Sequence, residues 1–140
     1  MENLVRFIKA QDKVYPKVLK ELKRGRKTTH WMWYIFPQLK ILGQSETAKY
    51  YGITDAKEAK AFIENEILKN RYYECCNILL ELEDNDIYQI LGDIDGMKLK
   101  SSLTLFYFVT KDKLFYELIE KYYNGDIDKL TWDYLDKNIK

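Results

Sequence analysis

One histidine, two cysteines, two prolines and six glycines are all that the 140 residues hold of the types that most often mark chemistry or sharp turns. With a single imidazole, a metal site would need carboxylates or a thiol beside it, and no HExxH or C-x-x-C spacing occurs, so no metal is expected. The two cysteines, Cys75 and Cys76, are neighbours. A disulfide between adjacent residues strains the peptide joining them, so both read as reduced helix residues of a reducing compartment. No glycine-rich phosphate loop, G-x-S-x-G elbow or dinucleotide fingerprint is present, which removes the common nucleotide-binding and hydrolase signatures, and no cofactor is expected. No stretch approaches about 18 uncharged apolar residues, and no basic segment leads into an apolar run. Neither a signal peptide nor a membrane span is read, and the cytoplasm is the default location. Without low-complexity segments or repeats to suggest a second unit, residues 1–140 are expected to form a single all-helical domain.

What the chain does have is rings. Aromatic residues make up 15% of it and twelve are tyrosine, so the core should be built largely from them. They concentrate in residues 25–52, GRKTTHWMWYIFPQLKILGQSETAKYYG, where His30, Trp31, Trp33, Tyr34 and Phe36 bring five rings into seven positions. From Thr28 to Leu39 no fixed charge interrupts this run. So much bulky surface must be largely buried, and Trp31, Trp33, Tyr34 and Phe36 are expected against helices around Leu79 and Leu105. The net charge of +1 hides an uneven distribution: residues 13–27 carry seven Lys or Arg and one acid, Glu21, whereas residues 81–95 carry six acids and no cation. Such an imbalance suits an anionic partner at the basic end, although it is also what a solvated helix face looks like.

Along the chain the apolar spacing is helical almost throughout. Asn3 can cap a first helix with a stripe at Leu4, Ile8, Gln11, Tyr15, Val18, Leu19 and Leu22, stopped by Gly25. Pro16 either kinks this helix or begins a second one near Asp12 or Lys13; the second reading is preferred. Residues 28–36 have no clean period, but their flanks favour a short helix capped by Thr28 or Thr29 and ended by Pro37. Ser45 should cap a short helix that Gly52 ends, and Thr54 the next. Leu68, Tyr72, Cys75, Leu79 and Leu82 mark the clearest helix, from Glu66 to about Glu83. A short helix over residues 86–91 precedes one capped by Asp93 or Asp95 and running to about Val109. The last strong stripe, Leu114 to Tyr122, ends at Asn124, and Asp128 can cap a final turn. The fold class is therefore all-α, a compact helical bundle of about six to eight helices, several short.

The candidate chemistry gathers in one segment. Arg24, Arg26 and Lys27 stand immediately before His30, Trp31 and Trp33, and cations beside stacking rings are what a nucleotide or phosphorylated small molecule needs. On this reading Arg24, Arg26 and Lys27 edge a pocket walled by His30, Trp31 and Trp33. His30 is the candidate catalytic general acid or base, and Gln38, Ser101 and Ser102 are candidate ligand-binding groups. The expected partner is a small anionic, nucleotide-like ligand, with no membrane partner. The same residues can instead be a helix end whose carbonyls are met by Arg and Lys, followed by core aromatics, in a protein-interaction or structural module. A third reading, nucleic-acid binding through the basic face of residues 13–27, is opposed by a pI near 7.6 and by the acidic region. A thiol nucleophile would require Cys75 or Cys76 to meet His30 in space.

The segments GRKTTHWMWYIFPQL, LGQSETAKYYGI and KLKSSLTLF resemble signatures of an uncharacterised bacterial family, the domain-of-unknown-function family "DUF eighteen-ten". The likeness runs from about Arg6 to about Phe115. It departs from the commoner pattern at Thr28-Thr29 and at Asn65-Glu66, where a His-Pro pair is frequent. The resemblance implies an all-α fold and carries no established activity or catalytic residues. Some members bear an automatic "calpastatin" label, but eukaryotic calpastatins are disordered repeat proteins, and this compact aromatic sequence shares none of that character.

Overall fold

The computed structural model describes residues 3–138. Among them are nine α-helices and no strand: α1 Val5–Arg24, α2 Met32–Ile35, α3 Glu46–Tyr50, α4 Ala56–Glu64, α5 Glu66–Glu81, α6 Ile87–Leu91, α7 Asp93–Thr110, α8 Lys113–Tyr123 and α9 Lys129–Lys137, with a 3-10 turn at Lys40–Leu42. The all-α class expected from the sequence is observed. No helix among the described residues is long and apolar enough to cross a membrane.

The central element is α7, which packs against α4, α6, α8 and α9. Its residues from Ser101 to Phe106 are all buried, as expected of a helix surrounded on every side. Rings join the surrounding helices to it. Tyr72 of α5 lies 4.6 Å from Phe106, 5.4 Å from Phe36 and 5.5 Å from Phe115 between centroids, and Phe62 of α4 bridges Phe106 at 5.3 Å and Phe7 of α1 at 5.0 Å. Each fully buried ring contributes about 1.5–3 kcal/mol of transfer free energy, but buried Leu and Ile, worth as much apiece, outnumber the rings, so the core is mainly aliphatic with rings linking its layers, not built largely from rings as the composition suggests. The aromatic block of residues 30–36 divides: Trp31 and Phe36 are buried, whereas Trp33 and Tyr34 are half-buried.

Side-chain caps set most helix starts. Ser45, Asp55, Asn65, Asp86, Asp112 and Asp128 each accept a backbone N–H two or three residues on, worth about 1 kcal/mol apiece. The starts of α1, α4 and α7 differ from the sequence expectation. Asn3 is not a cap, since α1 begins after Leu4 without a side-chain bond. Thr54 is replaced by Asp55, because the N–H and hydroxyl of Thr54 are both taken by Glu58 Oε1 at 2.8 and 3.0 Å. Neither Asp93 nor Asp95 caps α7, which starts after Gly92 with no side-chain bond: Asp93 is its first residue, and the Asp95 carboxylate pairs with Lys27 Nζ at 2.7 Å.

The first helix corrects a larger expectation: α1 runs unbroken for 20 residues with Pro16 inside it. Pro16 and Asp12, whose carbonyl Pro16 leaves without a donor, both face solvent, where water replaces the missing bond. The buried stripe Phe7, Gln11, Val18 and Leu22 holds the helix on the core across that gap. At its end Gly25 adopts φ 78°, and Arg26 N–H closes onto the Glu21 carbonyl at 3.0 Å, a glycine-terminated stop of the Schellman type.

One acid then shapes the loop from α1 to α2. Glu21, 3% exposed, accepts Thr28 N–H at 2.9 Å, Thr29 N–H at 3.2 Å, the Thr29 hydroxyl at 2.6 Å and the Trp31 indole N–H at 3.0 Å. Thr28 and Thr29 therefore do not cap α2, which starts after Trp31 with no side-chain bond. Burial alone would raise the carboxyl pKa, but the four donors outweigh it and hold the group down, from an ordinary 4.5 to about 2. Because the folded value is depressed, the stabilisation is present above pH 4.5 and is lost as pH falls towards 2, with roughly 3 kcal/mol at stake. Glu21→Gln, which puts an N–H donor among four donors, is expected to lower unfolding free energy at pH 7 by about 2–4 kcal/mol in urea titrations. It should also flatten the decline in stability between about pH 5 and pH 3. An unchanged acid limb in the variant would contradict this assignment.

Candidate functional site

The chain after α2 is extended and pinned from two sides. Ile53 N–H donates to the Gln38 carbonyl at 2.9 Å and Lys40 N–H to the Ile53 carbonyl at 2.7 Å, an isolated parallel bridge that joins residues 38–40 to residues 52–53. From α1, the buried Gln11 donates to the Tyr34 carbonyl at 2.7 Å. This fixes the exit of α2, so the Trp33 and Gln38 side chains stand at defined positions beside α7.

Between that segment, α3 and the first turns of α7 lies a cleft of two compartments. The outer has a volume of about 300 Å³ and is lined by Gln38, Leu42, Ser45, Ile94 and Lys98 among others. The inner, about 10 Å³ and large enough for one water-sized group, lies among Trp33, Phe36, Gln38, Tyr51 and Lys98. Gln38, Ala48 and Lys98 line both. Lys98 Nζ sits 5.7 Å above the Trp33 ring, within cation–π range. It is 4.0 Å from Asp95 Oδ1, whose other oxygen holds Lys27 at 2.7 Å. Lys27 thus neutralises Asp95, and Lys98 remains the spare cation of the cleft. No side-chain hydrogen bond engages the Gln38 carboxamide, the Trp33 indole N–H or the Tyr51 hydroxyl among the described residues. Ser45 Oγ accepts Ala48 N–H at 3.1 Å and keeps its own proton free. Burial raises the Tyr51 phenol above its usual range, with the Tyr50 ring adding and Arg6 opposing, so Tyr51 is a neutral donor near pH 7.

The residues singled out from sequence are scattered by this geometry. Trp33 and Gln38 line the cleft. Trp31 is 1% exposed with its N–H spent on Glu21, so it offers no face to a ligand. Lys27 is consumed by Asp95 and lies 5.1 Å over Trp31. Arg24 and Arg26 are exposed; Arg24 donates to the Arg26 carbonyl at 3.4 Å and to Thr28 Oγ1 at 3.3 Å. His30 is exposed, 6.5 Å from the Trp33 ring, and lines neither compartment. Ser101 and Ser102 are buried inside α7, Ser102 sharing a hydrogen bond with Tyr72 at 2.8 Å. The cations of residues 13–24 form an exposed face of α1, from which Glu21 alone turns inward. Cys75 and Cys76 are buried free thiols. Burial pushes Cys75 up to about 12, and Cys76 is raised for the same reason with the Cys75 charge adding, so neither is a thiolate near neutral pH. Lys98 and Ser45 carry more of the site than their sequence context suggests; the signal that points to Lys98 is the aromatic partner across the cleft, visible only in the fold.

A family model described as a protein of unknown function (DUF1810) matches residues 1–135. Among solved structures the chain is similar to a conserved hypothetical protein from Mycobacterium tuberculosis, with 41% identity, a TM-score of 0.94 and coverage of 96% of each chain. No curated protein matches.

The bridge that sets Gln38 depends on close approach at Gly52, where a Cβ would fall 2.4 Å from the Lys40 Cα and 2.6 Å from its Cβ. Backbone cannot yield there as a flexible side chain can. Gly52→Ala is expected to cost about 1–3 kcal/mol and to break the Lys40 N–H to Ile53 bond. Amide hydrogen exchange at Lys40 should then accelerate strongly, and unchanged protection would rule out this account of how residues 38–40 are held.

Proposed function

We propose that this chain, which belongs to the DUF1810 family of proteins of unknown function, binds a small, planar, anionic ligand in the cleft of Trp33, Gln38 and Lys98. The observation that carries the reading is the convergence on one concave site of an ammonium without a full counter-charge, a carboxamide without a partner and a half-buried indole ring. These groups are open to solvent and uncommitted within the protein, so a ligand seated in the cleft could meet all of them at once. Lys98 supplies a charge-assisted bond to a phosphate or carboxylate oxygen. Gln38, with two donors and an acceptor, reads an amide or a nucleobase edge. Trp33 closes the inner end, where about 10 Å³ admits a single ligand substituent, and Leu42 and the 72%-exposed Ile94 give an apolar lip to the mouth. At about 300 Å³ the outer compartment is at the small end of ligand sites, which suits a mononucleotide or smaller. The role is one of binding; His30, which lines neither compartment, is not required by it.

A thermal-shift panel of nucleoside monophosphates and aromatic carboxylates tests this, because binding to the native state must raise the melting temperature. At least one compound is expected to stabilise the wild type. Lys98→Gln and Gln38→Ala should weaken its apparent affinity by about 10-fold or more, the loss of one charge-assisted or buried hydrogen bond. Arg26→Ala should bind like wild type. A panel with no stabilising compound, or Lys98→Gln binding as wild type does, would end the proposal.

A further inference from the structure

A second basin lies on the other side of α3, and its cations take no part in the Trp33 cleft. It has a volume of about 530 Å³ between the start of α1, the 3-10 turn, α3 and the start of α4. Three lysines from three elements line it: Lys40 from the turn, Lys49 from α3 and Lys57 from α4. All three are exposed, and none forms an ion pair or a side-chain hydrogen bond among the described residues.

Two carboxylates lie among the lining residues, and only Glu58 is neutralised by a cation of its own. Glu58 Oε2 meets Arg6 at 3.1 Å, with both side chains about nine-tenths buried or more, and its Oε1 takes the two Thr54 donors. Asp55 Oδ1 accepts Glu58 N–H at 2.9 Å as the cap of α4. Arg6 itself is spent on Glu58 and on the Tyr50 and Gly52 carbonyls at 2.8 and 3.1 Å, which makes the floor rigid, and with three lysines and Arg6 against Asp55 and Glu58 the lining as a whole keeps an excess of positive charge. The placement is a product of the fold. The contact of Gly52 with the Lys40 backbone and the bridge to Ile53 bring Lys40, which is nine positions from Lys49 and seventeen from Lys57, over the same hollow. On the rim Tyr50 leaves 58% of its surface open, its ring meeting Tyr51 at 4.8 Å and 84°.

We propose that this basin is a second anion site, which takes a linear phosphate chain of two or three phosphoryl groups across Lys40, Lys49 and Lys57. Three separate ammonium groups around one hollow suit a multiply charged chain better than a single carboxylate, since each lysine acts as a point charge on its own oxygen. The chain can come from inorganic polyphosphate or from a nucleoside triphosphate whose base rests on Tyr50. The site is independent of the Trp33 cleft.

Calorimetric titration at low salt with sodium tripolyphosphate, and separately with ATP, tests it in the Lys98→Gln background, so that the first cleft does not contribute. Tripolyphosphate is expected to bind with one-to-one stoichiometry. Binding should weaken at least 10-fold when Lys40, Lys49 and Lys57 are all changed to Gln, and two- to five-fold for each single change. The single changes keep the test valid should the triple variant fold poorly by circular dichroism. ATP tighter than tripolyphosphate, with the difference abolished by Tyr50→Ala, assigns a nucleotide; equal affinities assign a bare phosphate chain. Absence of tripolyphosphate binding at millimolar concentration, or single and triple lysine variants within two-fold of the parent, overturns the proposal.

Discussion

A buried carboxylate with four donors is the constraint on which the functional end of this molecule depends. Glu21 sits in the last turn of α1, between residues that run back into the core and a loop that must turn sharply away from it. By taking Thr28 N–H, both donors of Thr29 and the Trp31 indole N–H, it converts a stretch with no helical or strand period into one defined turn. A buried charge is tolerable only when donors surround it, and here Oε1 takes three and Oε2 one. The result is a division of labour between two tryptophans two positions apart: Trp31 is locked into the core, and Trp33 is left at the edge of a cleft.

Charge is sorted in the same way. Seven cations in residues 13–27 suggest one basic surface. In the fold they separate into a solvated face of α1 that ends at Arg24, Arg26 in the loop beyond it, and Lys27, which is withdrawn to neutralise Asp95. The cations free to act near hollows are instead Lys98, which shares Asp95 with Lys27, and the unpaired trio Lys40, Lys49 and Lys57. Both hollows depend on the single bridge between residues 38–40 and 52–53, which fixes Gln38 for one and Lys40 for the other, with Gly52 lining both.

Most of the fold was legible in the sequence because the helices announce themselves by stripe and cap. Ser45 and Asp128 cap as their positions suggest, and α5 and α8 follow their apolar periods. The local signals that misled were overruled by tertiary contacts. Pro16 does not break α1, since the buried face of the helix is intact on both sides of it. Thr29 does not cap α2, since Glu21 binds its hydroxyl more favourably than a four-residue helix could. For the site, Trp33 and Gln38 were legible as rings and amides in an uncharged run. The withdrawal of Trp31, Lys27, Ser101 and Ser102 was not, because it depends on partners far away in the chain, such as Asp95 for Lys27 and Tyr72 for Ser102.

The central claim, that Glu21 divides the aromatic block into a locked half and an open half, is tested most directly by hydrogen exchange at the three indole N–H groups, followed by NMR at neutral pH. The Trp31 indole proton should exchange only on global unfolding, with a protection free energy close to the unfolding free energy of the protein. The Trp33 indole proton should exchange orders of magnitude faster, at rates near those of an accessible group. Equal protection of Trp31 and Trp33, or protection of Trp33 above Trp31, would contradict the account.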